Sequence, residues 1–242
     1  MNLEEKRRFV EENIKHLPLD EEQSYKFNFA CVFTKNSVGM ESGHTARLEE
    51  VVSTIRGKNP PIDEKLKRDV YNHYKAYLQV VDYVSIREDD HLSEDTVKNI
   101  HQTLTSGVFE GGIYRNVNIY INDSKYIPCD YIKVYERMRK YIDELNKMPS
   151  SIDKACYAHL YLHKVHPFLD GNGRLCRLIL NMMLLEAGYL PVSIPAKRRD
   201  EYFNTLEEYK VNKNSEPFKA FLMDLLDKEY DRFIDLIQPH VK

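Results

Sequence analysis

Between His166 and Arg177 the chain reads His-Pro-Phe-Leu-Asp-Gly-Asn-Gly-Arg-Leu-Cys-Arg, which gathers an imidazole, a carboxylate, a Gly-Asn-Gly turn and two guanidinium groups in one short stretch. Pro167 disfavours a helical backbone at His166, and Gly171 and Gly173 permit tight or left-handed geometry, so a loop is expected between two apolar helices. A helix restarting near Gly173 would turn its first N–H groups into that loop, which makes a ready anion site with phosphate as the natural guest. Arg174 and Arg177 lie on one face of such a helix, where two forks of donors can clamp a polyphosphate. Asp170 supplies the hard oxygen that Mg²⁺ needs beside phosphates. His166 has an ordinary pKa near neutrality and is placed to accept a proton from an attacking hydroxyl. A plain helix-linking loop could use the same glycines and asparagine as a cap. It has no need of base, acid and spaced arginines together.

The specified positions His166-Pro167-Phe168-x-Asp170-Gly171-Asn172-Gly173-Arg174-x-x-Arg177 resemble the signature of the Fic family of nucleotidyltransferases. The resemblance extends roughly from Ser37 to Phe221. It implies a protein adenylyltransferase that moves AMP from ATP to a Ser, Thr or Tyr hydroxyl of a target protein and to itself, and that can also remove AMP. His166 would be the base, Asp170 the Mg²⁺ ligand, and Gly171, Asn172 and Gly173 the holders of the α-phosphate. Arg174 would take the β-phosphate and Arg177 the γ-phosphate.

Other stretches fit the same resemblance. Ser37-x-x-x-Glu41-Ser42-Gly43 is similar to the inhibitory motif of Fic proteins that carry their own brake, with Ser42-Gly43 where Gly-Asn is commoner. Ser37 and Glu41 can share one helical face, and a Glu41 carboxylate paired with Arg177 would exclude the γ-phosphate. Val117 to Tyr126 resembles the flap that holds a target segment by main-chain pairing, with Ile119, Tyr120, Ile121 and Tyr126 as its flap residues. A structural hairpin would show the same pattern. Gly112-x-Tyr114-Arg115 resembles the lead-in to that flap, its arginine structural or near the site. Tyr202 and Phe203 resemble the aromatic pair at the adenine end of the pocket, although helical core packing explains the spacing equally well. Asn181 either faces the pocket or is a buried, hydrogen-bonded asparagine. His159, His163 and His166 recur at helical spacing, but the departure of the chain at Pro167 favours packed histidines over a metal face.

With 242 residues and 42% hydrophobic content the chain can bury a substantial core. A net charge of -3 with mixed signs gives no basic footprint, so nucleic acid is not an expected partner. Cys31, Cys129, Cys156 and Cys176 form no CxxC pair, which points to reduced thiols in a cytoplasmic setting. Neither a signal peptide nor a membrane span is expected, and a homo-oligomer stays open.

The elements that must position the loop read as an all-α bundle of the Fic type with a small β-hairpin flap. An amphipathic helix over residues 3 to 16 is ended by Pro18, and Asp20 with Gln23 opens the next. Thr45 can cap a third, and Pro61 sits at the first turn of a long helix through Val84. Ser93 begins another. Residues 117 to 121 and 125 to 127 alternate as two short strands about an Asn122-Asp123-Ser124 turn. Asp130 caps a striped helix, Ser150 and Asp153 open the helix that delivers His166, and Leu178 to Ala187 is apolar nearly all round and must be central. A helix near residues 199 to 209 and one from Ser215 complete the bundle. Three regions are expected: 1–88 carrying the inhibitory motif, 89–225 as the catalytic core, and 226–242 as a helix end. The competing functions are transfer of another phosphate-linked group, and a nucleotide-sensing regulator that binds ATP or ADP without significant transfer.

Overall fold

The computed structural model describes residues 1–42, 46–86, 91–121 and 124–241, with the side chains of Glu41 and Ser42 outside that description. The fold is organised on α8, Asn172–Glu186, in which every side chain from Asn172 to Leu184 is buried. Each fully buried Leu or Ile there contributes about 1.5–3 kcal/mol of hydrophobic stabilisation. Against α8 pack α7, Ile152–Val165; α4, Glu64–Ile86; α5, Glu94–Thr105; and α2, Leu19–Ser42. Outside these lie α1, Leu3–Asn13; α3, Leu48–Ile55; α6, Val134–Lys147; α9, Arg199–Asn212; and α10, Glu216–Ile237. Among the described residues the architecture is all-α, as the periodicity indicates.

Helix starts follow local capping chemistry. Asn2 and Glu5 form a reciprocal capping box on α1, and the Ser93 hydroxyl accepts the Thr96 N–H at the start of α5. The cap of α7 is Ser151, one residue later than expected, because its hydroxyl is the one that accepts the Lys154 N–H. Asp130 caps a single 3₁₀ turn that runs into α6. Thr45, the expected cap of α3, lies outside the described residues. The helix carrying Ser37 is longer than its turn-forming residues imply: α2 continues through Gly39 without a break, and the intrinsic cost of one helical glycine, about 1 kcal/mol, is small beside the tertiary packing of the helix. Lys6 of α1 reaches both Asp227 and Asp231 of α10, at 2.7 and 2.6 Å, which fastens the first helix to the last.

The flap hairpin is corrected by the structure. No strand occurs among the described residues, and Asn122 and Asp123 of the expected turn lie outside them. Side chains, and not a facing strand, hold this stretch. The Asn118 amide oxygen accepts the Tyr131 N–H at 2.9 Å, Glu207 of α9 accepts the Lys125 N–H at 2.7 Å, and Arg115 donates to the Val117 carbonyl at 3.0 Å. Alternating residues without a ladder partner make an extended segment and not a sheet.

Candidate active site

The end of α7 delivers His166 in the left-handed region, at φ 52° and ψ 62°, a conformation that costs a non-glycine residue about 1 kcal/mol and needs outside support. Three contacts supply it. The His166 N–H closes on the Leu162 carbonyl at 3.0 Å, the Arg115 Nε donates to the His166 carbonyl at 2.9 Å, and the Arg115 N–H donates to the Pro167 carbonyl at 2.9 Å. Arg115 is itself buried and also donates to the Cys129 carbonyl. The imidazole Nδ1 lies 3.3 Å from the His163 carbonyl, which can only accept, so the ring proton belongs on Nδ1 and the basic lone pair on Nε2.

The loop between α7 and α8 is held from inside. The Asn172 side chain accepts the Phe168 N–H at 3.0 Å and donates to the Phe168 carbonyl at 2.8 Å, so its amide is spent on loop shape. His101 of α5 accepts the Gly112 N–H on Nδ1 at 3.0 Å, which puts its proton on Nε2, aimed at the Asp170 carbonyl 2.8 Å away. Its ring stacks on Phe168 with centroids 3.7 Å apart. Burial, chiefly, lowers its pKa to about 4, so it stays neutral and keeps both hydrogen bonds at neutral pH. A Cβ at Gly171, where φ is 78°, would sit 3.3 Å from His101 Nε2, so both conformation and space call for glycine there.

Past Gly171 the first turn of α8 presents its N–H groups, with the Gly171 N–H turned onto Asp170 Oδ1 at 2.6 Å. The Asp170 side chain is 68% exposed and 3.6 Å from Arg174 Nη2. Arg174 is buried against Asp69 of α4, Nη1 to Oδ1 3.0 Å. Its Nε is buried without a hydrogen-bond partner among the described residues. One turn on, Arg177 is 1% exposed and donates from Nε to the Ser37 hydroxyl and from Nη2 to the Ser37 carbonyl, each at 2.9 Å. Ser37 therefore meets the second arginine directly. The Glu41 carboxylate, the expected brake, lies outside the described residues. Beside the two arginines His73 is held well below the usual imidazole range, first by burial and then by Arg177 and Arg174.

The remaining candidates are placed as follows. Tyr202 is fully buried, its hydroxyl donating to His159 Nε2 at 2.9 Å while His159 Nδ1 donates to the Cys176 carbonyl at 2.9 Å. Phe203 is half-buried with the Arg199 guanidinium 4.6 Å above its ring. Asn181 is the buried, hydrogen-bonded asparagine, closed on the main chain of Val192 in both directions. Tyr120 is 80% exposed, Ile119 and Ile121 are half-buried, and Tyr126 lies 5.1 Å from Lys164 Nζ. His163 is buried one turn before His166. Asp69 and His101 had escaped the sequence reading. The available signal was a carboxylate or imidazole inside an otherwise apolar helical stripe, at Asp69 among Leu66, Val70 and His73, and at His101 beside Ile100 and Leu104.

Residues 91–184, which contain this whole loop together with His101 and Arg115, match the Fic/DOC family. Over 206 residues the chain is 30% identical to protein adenylyltransferase Fic of Drosophila persimilis, covering 82% of this chain and 40% of that protein. The chain belongs to the Fic/DOC family. It spans about two fifths of the length of the curated Fic relatives it matches. Its fold is also that of a Fic domain containing signaling protein from Bacteroides thetaiotaomicron, with TM-score 0.85, 18% identity and coverage of 98% and 96% of the two chains. Fic-1 (aa134 - 508) from C. elegans superposes with TM-score 0.82 and 22% identity, over 99% of this chain and 72% of that one. No helix among the described residues is long and apolar enough to cross a membrane.

Proposed function

We propose that this Fic chain transfers AMP from ATP to a Ser, Thr or Tyr hydroxyl of a target protein and to its own surface. The observation that carries the reading is the left-handed His166, clamped by Arg115 directly before a helix N-terminus that projects Arg174 and Arg177 from its first turns. The target oxygen attacks the α-phosphorus, its proton passes to His166 Nε2, and the bond to the β-phosphate breaks to release pyrophosphate. Positioned charge carries most of the catalysis in transfers of this kind. Asn172 and Gly173 offer main-chain N–H groups to the α-phosphate, joined by that of Gly171 when the Asp170 carboxylate releases it, while Arg174 serves the β-phosphate and Arg177 the γ-phosphate. Phe203 and, in a rearranged pocket, Tyr202 serve the adenine end, and Ile119 to Ile121 with Tyr126 align the target backbone. The same base would activate water for removal of AMP.

The exposed Asp170 carboxylate suits Mg²⁺, which binds through one or two carboxylates together with substrate phosphates and water and not in an all-protein cage. When bound, the ion would neutralise phosphate charge. Autoinhibition is supported by the engagement of Arg177 by Ser37 of α2, which occupies donors that the γ-phosphate needs. Glu41, on the same helix, would complete the brake. Four cysteines without a disulfide among them accord with a cytoplasmic setting. Incubation with labelled ATP and Mg²⁺ followed by intact-mass measurement of added AMP tests the reading. Absence of AMP from both the chain and all offered proteins, in wild type and in Glu41→Gly alike, would sink it.

A further inference from the structure

A cavity of about 220 Å³ lies between α6, α7 and the end of α9. Arg137, Lys164 and Lys213 line it with Tyr126, Tyr161 and Val165. Among the described residues none of the three cations forms an ion pair with a carboxylate, unlike Lys26 with Glu22 or Lys98 with Glu94. In a chain of net charge -3, three cations without a carboxylate ion pair around one cavity make a local excess of positive charge. Lys164 is fixed, its Nζ donating to the Lys210 carbonyl at 2.8 Å and lying 5.1 and 5.5 Å from the Tyr126 and Tyr209 rings. Burial first, and then the neighbouring Lys213 and Arg137, lower its pKa. Lys213 sits there at the cost of a left-handed backbone, φ 60°.

We propose that this cavity is an anion subsite that takes an acidic side chain of the target polypeptide, a few residues from the hydroxyl that is modified. The proposal rests on the transfer reading. One wall of the cavity, Tyr126 to Cys129, is the continuation of the flap segment, and another, Val165, precedes His166 in the chain. Arg115 joins the two walls, donating to the carbonyls of both Cys129 and His166. An extended chain advances ~3.3–3.6 Å per residue, and the cavity takes Tyr126 from the flap and Val165 from the turn into His166, so a target held along the flap with its hydroxyl at His166 would bring a side chain a few residues away toward the cavity. A carboxylate arriving there accepts charge-assisted hydrogen bonds from Arg137 and the lysines and relieves their mutual repulsion. The arginines of the phosphate site face α2 and α4 instead, which separates this subsite from the nucleotide.

The test uses short peptides with one acceptor hydroxyl and an Asp, Ala or Lys within about four residues of it. They are offered to the full chain, to its Glu41→Gly form, and to the same forms carrying Arg137→Glu and Lys213→Glu. Peptide binding is read by fluorescence anisotropy and transfer by mass. Wild-type charge should favour the Asp series over the Lys series by roughly tenfold in both readouts, and the reversed pair should favour Lys. Equal binding of the two series, or a preference unchanged by charge reversal, overturns the subsite, as does tighter binding of a single-stranded oligonucleotide than of the Asp peptides. If no peptide and no chain gains AMP, the transfer reading fails while the anisotropy still decides the subsite.

Discussion

Replacing His101 by Phe should loosen the catalytic loop without emptying the space beneath it. The phenyl ring keeps the stack on Phe168, whose centroid is 3.7 Å from that of the imidazole. What disappears is a two-ended bridge, from the Gly112 N–H at 3.0 Å to the Asp170 carbonyl at 2.8 Å. A buried polar group left without its partner costs ~1–3 kcal/mol, so two set a range of about 2–6 kcal/mol. The Asp170 end lies beside solvent, with a side chain 68% exposed, and water can replace part of the loss there. The expected destabilisation is therefore in the lower half, ~2–3 kcal/mol, or roughly 5–10 °C in Tm for a domain of this size. Because the Asp170 carbonyl fixes the turn that aims Asp170 and the α8 N-terminus, a displacement of ~1 Å should lower AMP transfer by about 100-fold. Urea unfolding followed by circular dichroism measures the first effect, and single-turnover transfer at saturating ATP the second. His101→Gln, whose amide carries one donor and one acceptor group, should recover part of both. If His101→Phe unfolds within ~0.5 kcal/mol of wild type and transfers at the wild-type rate, the bridge does not hold the loop, and the argument from unsatisfied partners is wrong here.

Other outcomes follow from the same geometry. His166→Ala should lower transfer by ~100- to 10,000-fold while calorimetry still detects ATP, and near wild-type transfer would remove His166 as the base. Glu41→Gly should raise self-modification, and Ser37→Ala, which deletes the hydroxyl 2.9 Å from Arg177 Nε, should raise it less; incorporation no higher than wild type in both would remove the brake. Asp170→Ala should abolish the Mg²⁺ response together with transfer, and activity that survives chelation contradicts the assignment. Stability should fall as the solution is acidified. His101 and His159 are depressed to about 4 and about 3, mainly by burial. Above the unfolded value of ~6.5 both states are neutral and nothing changes. Below it the unfolded chain binds protons that the fold refuses, so these two alone remove roughly 2 kcal/mol between about pH 6 and pH 5. His73 and His163, also lowered by burial, act in the same direction. Unfolding midpoints in urea that are equal at the two pH values would refute this.

The course of the loop was legible because its geometry is local: a turn and the first helical face after it are fixed by neighbours in sequence, so the break at His166, the tight turn at Gly171 and a helix carrying Arg174 and Arg177 could be read from spacing. The groups that hold this loop are not local. Asp69 meets Arg174 across 105 residues, His101 meets Asp170 across 69 and Arg115 meets His166 across 51, and no periodicity encodes such pairs. The extended segment after Arg115 misled for a related reason. Alternation records which side of a chain faces solvent, whereas a strand also requires a partner backbone, and there Arg115 and Glu207 take the Val117 carbonyl and the Lys125 N–H. Tyr202 illustrates a third limit: an aromatic at helical spacing is equally suited to a pocket and to a core, and only the hydroxyl's bond to His159 places it in the core of this conformation.

Arg115 grips the carbonyls of Val117, Cys129 and His166 with one planar, rigid group. Such a group acts as a ruler. If the segment it holds aligns the target backbone, the separation between that backbone and the His166 ring is a constant of the fold, and the target side chain must span it. A phenolic oxygen stands several ångströms farther from its Cα than an alcohol oxygen does, so one ruler cannot serve both lengths. Selection between tyrosine and serine or threonine would then be made by reach, before any recognition of the surrounding sequence, and lengthening or shortening the segment between Arg115 and Cys129 would leave the choice of acceptor unchanged as long as the three carbonyls stay in the grip of the guanidinium.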